Sequence, residues 1–133
     1  MEQINKKKKV LVVDDDEALN TVLVDKLVFA GFEVQGATNG EEGLRKAFEF
    51  HPDIILLDVM MPKMNGMEML KKLREDSWGK NAKVVMLTLL EQMDYMAEAT
   101  ENNVLGYFVK TNHSLNEIVQ KIETLLGKLK TDN

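Results

Sequence analysis

Cysteine is absent from the 133-residue chain. Disulfide staples and thiolate metal sites are therefore excluded, and nothing points to an oxidising compartment. Proline occurs only twice, and glycine is scattered, so no Pro/Gly-rich linker divides the chain. Its length suits one domain, which buries roughly two-thirds of its unfolded surface and needs no staples. Positive charge is in deficit, with a net charge of -5. That argues against direct nucleic-acid binding through the phosphate backbone. No apolar run approaches the ~18 residues that span a membrane. The basic start "NKKKKVLVV" has too short an apolar stretch for a signal sequence, which needs about 7–15 such residues. Lys6 to Lys9 read as a solvated lead-in to a strand, and a cytoplasmic location is expected.

What is present alternates regularly. Val10 to Val13 form a β-branched run, the mark of a buried strand. Leu19, Val22, Leu23 and Leu27 follow with helical spacing. Gly31 stands where a helix end wants a left-handed residue. "FEVQGA" alternates apolar and polar, so it reads as an edge strand. Glu41 to Phe50 read as a helix with Leu44, Ala47 and Phe48 on one face. Pro52 ends it and biases His51 toward extended geometry. Ile54 to Leu57 make a third strand, and Asn65-Gly66 a turn. Met67, Leu70 and Leu73 line the next helix. "KVVML" is a fourth strand, Met93 to Asn102 a weaker helix, and "GYFV" a fifth strand. Ser114 and Glu117 have capping-box spacing. They open a last helix whose apolar face runs from Leu115 through Ile118, Val119, Ile122, Leu125 and Leu126 to Leu129. Strands alternating with helices imply right-handed crossovers and a parallel sheet. Five such units predict an α/β fold: a flavodoxin-like doubly wound five-stranded parallel sheet, order 2-1-3-4-5, with five helices.

In such sheets ligands bind outside the carboxyl ends of the strands. Those ends carry Asp14, Asp15 and Asp16, then Asp58, Thr88 and Lys110. Two carboxylates about 4 Å apart repel by roughly 4 kcal/mol at an effective dielectric of 20. They ionise together only if a cation joins them, and an all-oxygen set selects Mg²⁺, with Mn²⁺ as the substitute. The plain alternative, acids that cap the following helix, suffices for Asp16 and Glu17. It does not account for Asp14 and Asp58 together with Lys110. A carboxylate is charged at neutral pH and needs no base to act as a nucleophile, so Asp58 can accept a phosphoryl group. Asp14 and Asp15 would hold the metal, Lys110 would supply a cation and Thr88 a hydroxyl donor.

At these residues the chain resembles a response-regulator receiver domain of two-component signalling, in the single-domain chemotaxis-regulator form. "VLVVDDDEAL", "PDIILLDVMMPKMNG", "VVMLT" and "GYFVK" match its four motifs in order. The resemblance covers about residues 8–128 of a single domain spanning 1–133, with tails at 1–7 and 129–133. It implies phosphorylation of Asp58 by a sensor histidine kinase, a phosphotransfer protein or a small phosphodonor. It also implies direct Mg²⁺ ligation by Asp15, Asp58 and the Met60 backbone carbonyl, with Asp14 acting through water. Thr88 and Tyr107 would form the switch, with Tyr107 turning inward as Thr88 moves. Output would pass to a protein target through the face of the fourth helix, fifth strand and fifth helix. The molecule would be a monomer or a phosphorylation-dependent dimer. It would be a phosphoacceptor rather than an enzyme.

Two positions depart from the pattern. Leu89 replaces the usual small residue after Thr88 and crowds the approach to Asp58. Thr111 replaces the usual proline after Lys110. A cis bond before a non-proline costs about 2.5–4 kcal/mol, which argues against carrying a cis bond over. In the family, the side chains two residues beyond the phosphoacceptor and the threonine flank the hydrolytic water; here they are Met60 and Leu90. A flavin-binding flavodoxin is excluded because "DDDE" would repel its phosphate. An aspartyl-phosphate phosphatase would want an acid at position 60. The rival that remains is a receiver-like interaction module that is never phosphorylated. His51 and His113 read as surface residues, Trp78 as cover for a local patch, and the methionines from Met60 to Met69 as core filling. Ending at Asn133 after the last helix, the sequence is expected to be a stand-alone receiver or a piece of a longer chain.

Overall fold

A computed structural model describes residues 7–111 and 113–127. Strands β1 (Lys9–Val13), β2 (Glu33–Ala37), β3 (Ile54–Asp58), β4 (Val84–Thr88) and β5 (Gly106–Val109) form one parallel sheet in the order β2-β1-β3-β4-β5. Helices α1 (Glu17–Phe29), α2 (Gly40–Phe50), α3 (Gly66–Glu75), α4 (Met96–Glu101) and α5 (Leu115–Leu125) cover both faces. Fold class and strand order are as the sequence predicts.

The two faces are separate cores. Leu11, Val13, Ile55, Leu57, Val84 and Met86 point to the side of α2, α3 and α4. Val10, Val12, Ile54, Leu56, Val85 and Leu87 point to the side of α1 and α5. Alternation along each strand thus feeds both layers, which is why β1 and β3 read as unbroken apolar runs. Edge strand β2 has an exposed face and reads as an alternation.

Local signals fix the helix ends. Asp16, Asn39, Asn65 and Ser114 cap α1, α2, α3 and α5, and full capping boxes join Asn65 to Glu68 and Ser114 to Glu117. Gly31 follows α1 with φ 102°.

Several expectations are corrected. On α1, Val22 is exposed and Asn20 is buried with Leu23 and Leu27. On α2, Phe48 is outside and Phe50 inside. Two residues, about 200° of helix, separate each pair, so the members lie on nearly opposite faces. His51 is left-handed, φ 49°, not extended. It closes α2 by donating its backbone N–H to Ala47 O, the αL cap that leaves Pro52 outside the helix. Ahead of α4, the chain makes a 3₁₀ segment over Leu90–Tyr95, so the α-helix itself is shorter than predicted. Leu129 lies outside the described residues. Trp78 does cover a patch and stacks on His51, with ring centroids 4.3 Å apart. Met61, Met67 and Met69 are core residues, whereas Met60 is exposed.

One corner depends on a single side chain. Arg74 on α3 donates to the carbonyls of Gly79 and Ala82 at 2.7 and 2.8 Å, and to Asn102 and Asn103 at 2.7 and 3.3 Å. It thereby ties α3 to its following loop and to the end of α4. Arg74→Met keeps the apolar stem but leaves these carbonyls short of donors. We expect it to lower unfolding free energy by about 2 kcal/mol. Arg45→Met, which breaks an exposed pair with Glu49, should cost no more than about 0.5 kcal/mol. Urea unfolding of both variants checks the contrast, and equal losses would refute the role given to Arg74.

Candidate phosphoacceptor and metal site

β1 and β3 are adjacent, so their carboxyl ends bring Asp14 and Asp58 side by side. β5 lies one strand beyond β4, and Lys110 leaves its end. The Lys110 ammonium sits 2.8 Å from Asp14 Oδ2 and 3.2 Å from Asp58 Oδ1. Asp14 is wholly buried and Asp58 nearly so, while Asp15 is exposed. One carboxylate oxygen from each of the three lies within 4.8 Å of the others.

The backbone is built to hold this cluster. The Asp16 N–H donates to Asp14 Oδ1 at 2.9 Å, fixing that carboxylate. Lys110 N–H donates to Thr88 O at 2.7 Å, which fixes where the lysine starts. The Lys110–Thr111 bond is trans, and the ammonium still reaches both acids. Behind Asp58 the chain folds back so closely that a Cβ on Gly66 would lie 2.0 Å from the Asp58 carbonyl oxygen. Only glycine allows that approach, and the Gly66 N–H donates to Val59 O at 2.8 Å.

The donor set fits a divalent cation. Three carboxylates and one ammonium leave a formal excess of two negative charges. Asp14 Oδ2 is buried and accepts no hydrogen bond of good geometry, so the Lys110 contact is a close ion pair rather than an aligned bond. A lone pair on a buried carboxylate is thus available, and all-oxygen donors suit Mg²⁺. Burial, and then the charge of Asp14, push the Asp58 carboxyl up to about 7, against the opposing pull of Lys110. Burial alone would lower the Lys110 ammonium, but Asp14 and Asp58 carry it above its ordinary value.

The structure thus brings together four of the residues named from sequence: Asp14, Asp15, Asp58 and Lys110. Thr88 ends the intervening strand and is buried, but its hydroxyl donates to Leu89 O at 3.0 Å. Tyr107 is 46 % exposed and points outward. Met60 follows the site with an exposed side chain. The side chain of Leu90 lies outside the described residues. Sequence reasoning missed Asn20 and Gly66. Asn20 was detectable as a polar residue at i, i+3, i+7 with Leu23 and Leu27. No helix among the described residues is long and apolar enough to cross a membrane.

The family model of the response regulator receiver domain matches residues 10–123. The chemotaxis protein CheY of Thermotoga maritima is 36% identical over 104 residues, covering 77% of this chain and 85% of that protein. The DNA-binding dual master transcriptional regulator RpaA of Synechocystis sp. is 31% identical over 120 residues, covering 90% of this chain and 49% of RpaA. The chain spans about half the length of RpaA and of the probable transcriptional regulators ycf27 of Pyropia yezoensis and Porphyra purpurea. Among solved structures, the chemotaxis response regulator CheY4 of Vibrio cholerae superimposes with a TM-score of 0.82 at 31% identity, covering 90% of this chain and 99% of that one.

The raised Asp58 carboxyl gives a signed expectation. A carboxyl whose folded value is raised favours the fold while protonated. That contribution is present below the ordinary carboxylate range and is lost as pH rises through about 7. In metal-free buffer, Asp58→Asn should therefore be more stable than the parent by roughly 1–3 kcal/mol at about pH 8, and by little at about pH 5. Millimolar Mg²⁺ should narrow the gap by stabilising the parent. Thermal unfolding in chelator and in Mg²⁺ checks this; a gap independent of both pH and metal would show that Asp58 is not held at electrostatic cost.

Proposed function

This chain belongs to the response regulator receiver domain family of two-component systems, and on that premise we propose that Asp58 is its phosphoacceptor. The observation that carries the reading is the Lys110 ammonium, shared between Asp14 and Asp58 beside a third acid. Receiver domains act with histidine kinases or phosphotransfer proteins. The donor here is accordingly a phosphohistidine, or a small acyl phosphate in its place.

The transfer balances simply. An Asp58 carboxylate oxygen attacks phosphorus, and the new O–P bond forms as the N–P bond to the donor imidazole breaks. The electron pair of that bond stays on the imidazole nitrogen. Asp14, Asp15, Asp58 and the Met60 carbonyl would hold Mg²⁺, which supplies charge neutralisation on the phosphoryl oxygens when bound. Lys110 neutralises the same charge from the β5 side and aligns the incoming group. Thr88 gives up its bond to Leu89 O to donate to the phosphoryl group. Tyr107 then turns inward, altering the face of α4, β5 and α5 that a protein target reads. Burial of Asp58 favours its neutral form, and a cation held by Asp14, Asp15 and Asp58 would favour the charged carboxylate that acts as nucleophile.

The rival, a receiver-like module that binds without phosphorylation, draws no specific support from this geometry. RpaA is a DNA-binding transcriptional regulator. For this chain, with its net negative charge, we assign output to protein contact, which includes a DNA-binding regulator as the target.

The test is direct. Acetyl phosphate with Mg²⁺ should add one phosphoryl mass, abolished by Asp58→Asn and by chelator. Lys110→Ala should slow incorporation on the order of a hundred-fold. Incorporation that survives Asp58→Asn would move the phosphoacceptor elsewhere. Lifetime is a further readout. Met60 is apolar and cannot orient a hydrolytic water, so the phosphorylated state should persist; Met60→Asn is expected to shorten it several-fold. Unchanged decay of the acyl phosphate would remove Met60 from control of water access.

A further inference from the structure

Asn20 is the polar side chain that α1 buries, 7% exposed among Leu23 and Leu27. A buried amide needs partners, and Asn20 Nδ2 has three: the carbonyls of Ala37 at 2.8 Å, Asp14 at 3.0 Å and Val12 at 3.4 Å. We propose that Asn20 is a positioning residue for the acidic loop, setting the Asp14–Asp15 peptide so that both carboxylates face the metal position. The inference rests on the phosphoacceptor reading and deepens it.

The geometry makes the case. A peptide plane is rigid, so holding the Asp14 carbonyl fixes the direction in which Asp15 leaves. Asp14 N–H itself donates to Ala37 O at 3.0 Å. Ala37 O therefore receives two donors, one from the loop and one from Asn20, and edge strand β2 becomes the fixed reference for the acids. The Asp16 N–H then orients the Asp14 carboxylate from the other side. Asn20 touches neither carboxylate. It acts through the backbone that carries both.

The edge strand is shaped for this amide. A Cβ on Gly36 would lie 2.5 Å from Asn20 Oδ1, so the glycine leaves the space that the amide occupies. Lys46 holds the Gly36 carbonyl at 2.6 Å, so the strand does not yield easily. A residue that only satisfied strand-end carbonyls would affect stability alone. One that places Asp14 and Asp15 affects metal affinity in the folded protein.

The experiment measures Mg²⁺ affinity by calorimetric titration, with Mn²⁺ relaxation enhancement as a second probe, on folded protein. Asn20→Ala is expected to weaken binding about ten-fold or more, the usual effect of removing a partner behind a ligand. Leu27→Ala, at a wholly buried position on the same helix, should lose stability and keep the parent affinity. Gly36→Ala reaches the amide without touching the loop and should also weaken binding, which covers the case in which Asn20→Ala does not fold. The double variant should be no weaker than Asn20→Ala, because the added methyl then meets no amide. Parent affinity in either folded single variant overturns the inference alone. A parent protein that binds no Mg²⁺ overturns the phosphoacceptor reading and this inference together.

Discussion

The Lys110 ammonium between Asp14 and Asp58 is the contact on which the rest depends. Without it, two buried carboxylates would face each other at the end of the apolar sheet. At such separations like charges repel by about 4 kcal/mol even at an effective dielectric of 20. One ammonium cannot balance three acids, and burial adds its own cost to each charge it covers. The site is therefore a net burden on the fold. The two apolar cores offset it. β1 and β3 bury their apolar side chains completely, and each such side chain contributes about 1.5–3 kcal/mol. The charge imbalance that burdens the fold is also what a bound cation would relieve.

The sheet explains why these residues meet. Parallel strands present all their carboxyl ends on one edge, and the order β2-β1-β3-β4-β5 places the acid-bearing strands side by side at its centre. Backbone contacts set the precision. Gly66 brings the loop after β3 against the Asp58 carbonyl, and a Cβ on Gly40 would lie 2.2 Å from Met64 O at the far end of that loop. Neither contact tolerates a side chain. Asp58 thus stands on a rigid strand whose following loop is fastened at both ends.

Strong local signals made the strands and most helices legible in the sequence. Unbroken apolar runs marked β1 and β3, alternation marked the edge strand, and capping residues marked α5. Acids and a lysine at successive strand ends were enough to name Asp14, Asp15, Asp58 and Lys110. What escaped was phase and backbone geometry. Val22 and Asn20 differ by two positions on α1, yet tertiary packing turned the amide inward because strand-end carbonyls awaited a donor. Phe50 took the buried place expected of Phe48, two residues and about 200° further round α2. The left-handed His51 depends on how α2 closes, which no side-chain pattern encodes. Gly66 was readable as part of a turn, but its contact with the Asp58 carbonyl exists only once β3 and α3 are in place.

Restraint around the site is uneven, and that unevenness suits a switch. The Asp14 carboxylate is held by a backbone donor, whereas the Thr88 hydroxyl makes a single bond, to the next carbonyl, Leu89 O. Beyond it the chain enters a 3₁₀ segment whose amino end is closed locally, with the Leu89 N–H donating to Gln92 Oε1 at 3.1 Å. The far end of α4 is pinned, by Arg74 to the Asn102 and Asn103 carbonyls and by a 2.7 Å pair between Lys71 and Glu98. The Lys71–Glu98 pair is half exposed and worth little by itself; the Arg74 bonds are the stronger restraint. A displacement beginning at Thr88 therefore meets its strongest resistance at the end of α4. The hydroxyl bond that must break contributes about 0.5–1.5 kcal/mol. Couplings between sites in signalling proteins are typically 1–3 kcal/mol, so under the proposed phosphorylation a charge placed on Asp58 would have enough leverage to break that bond.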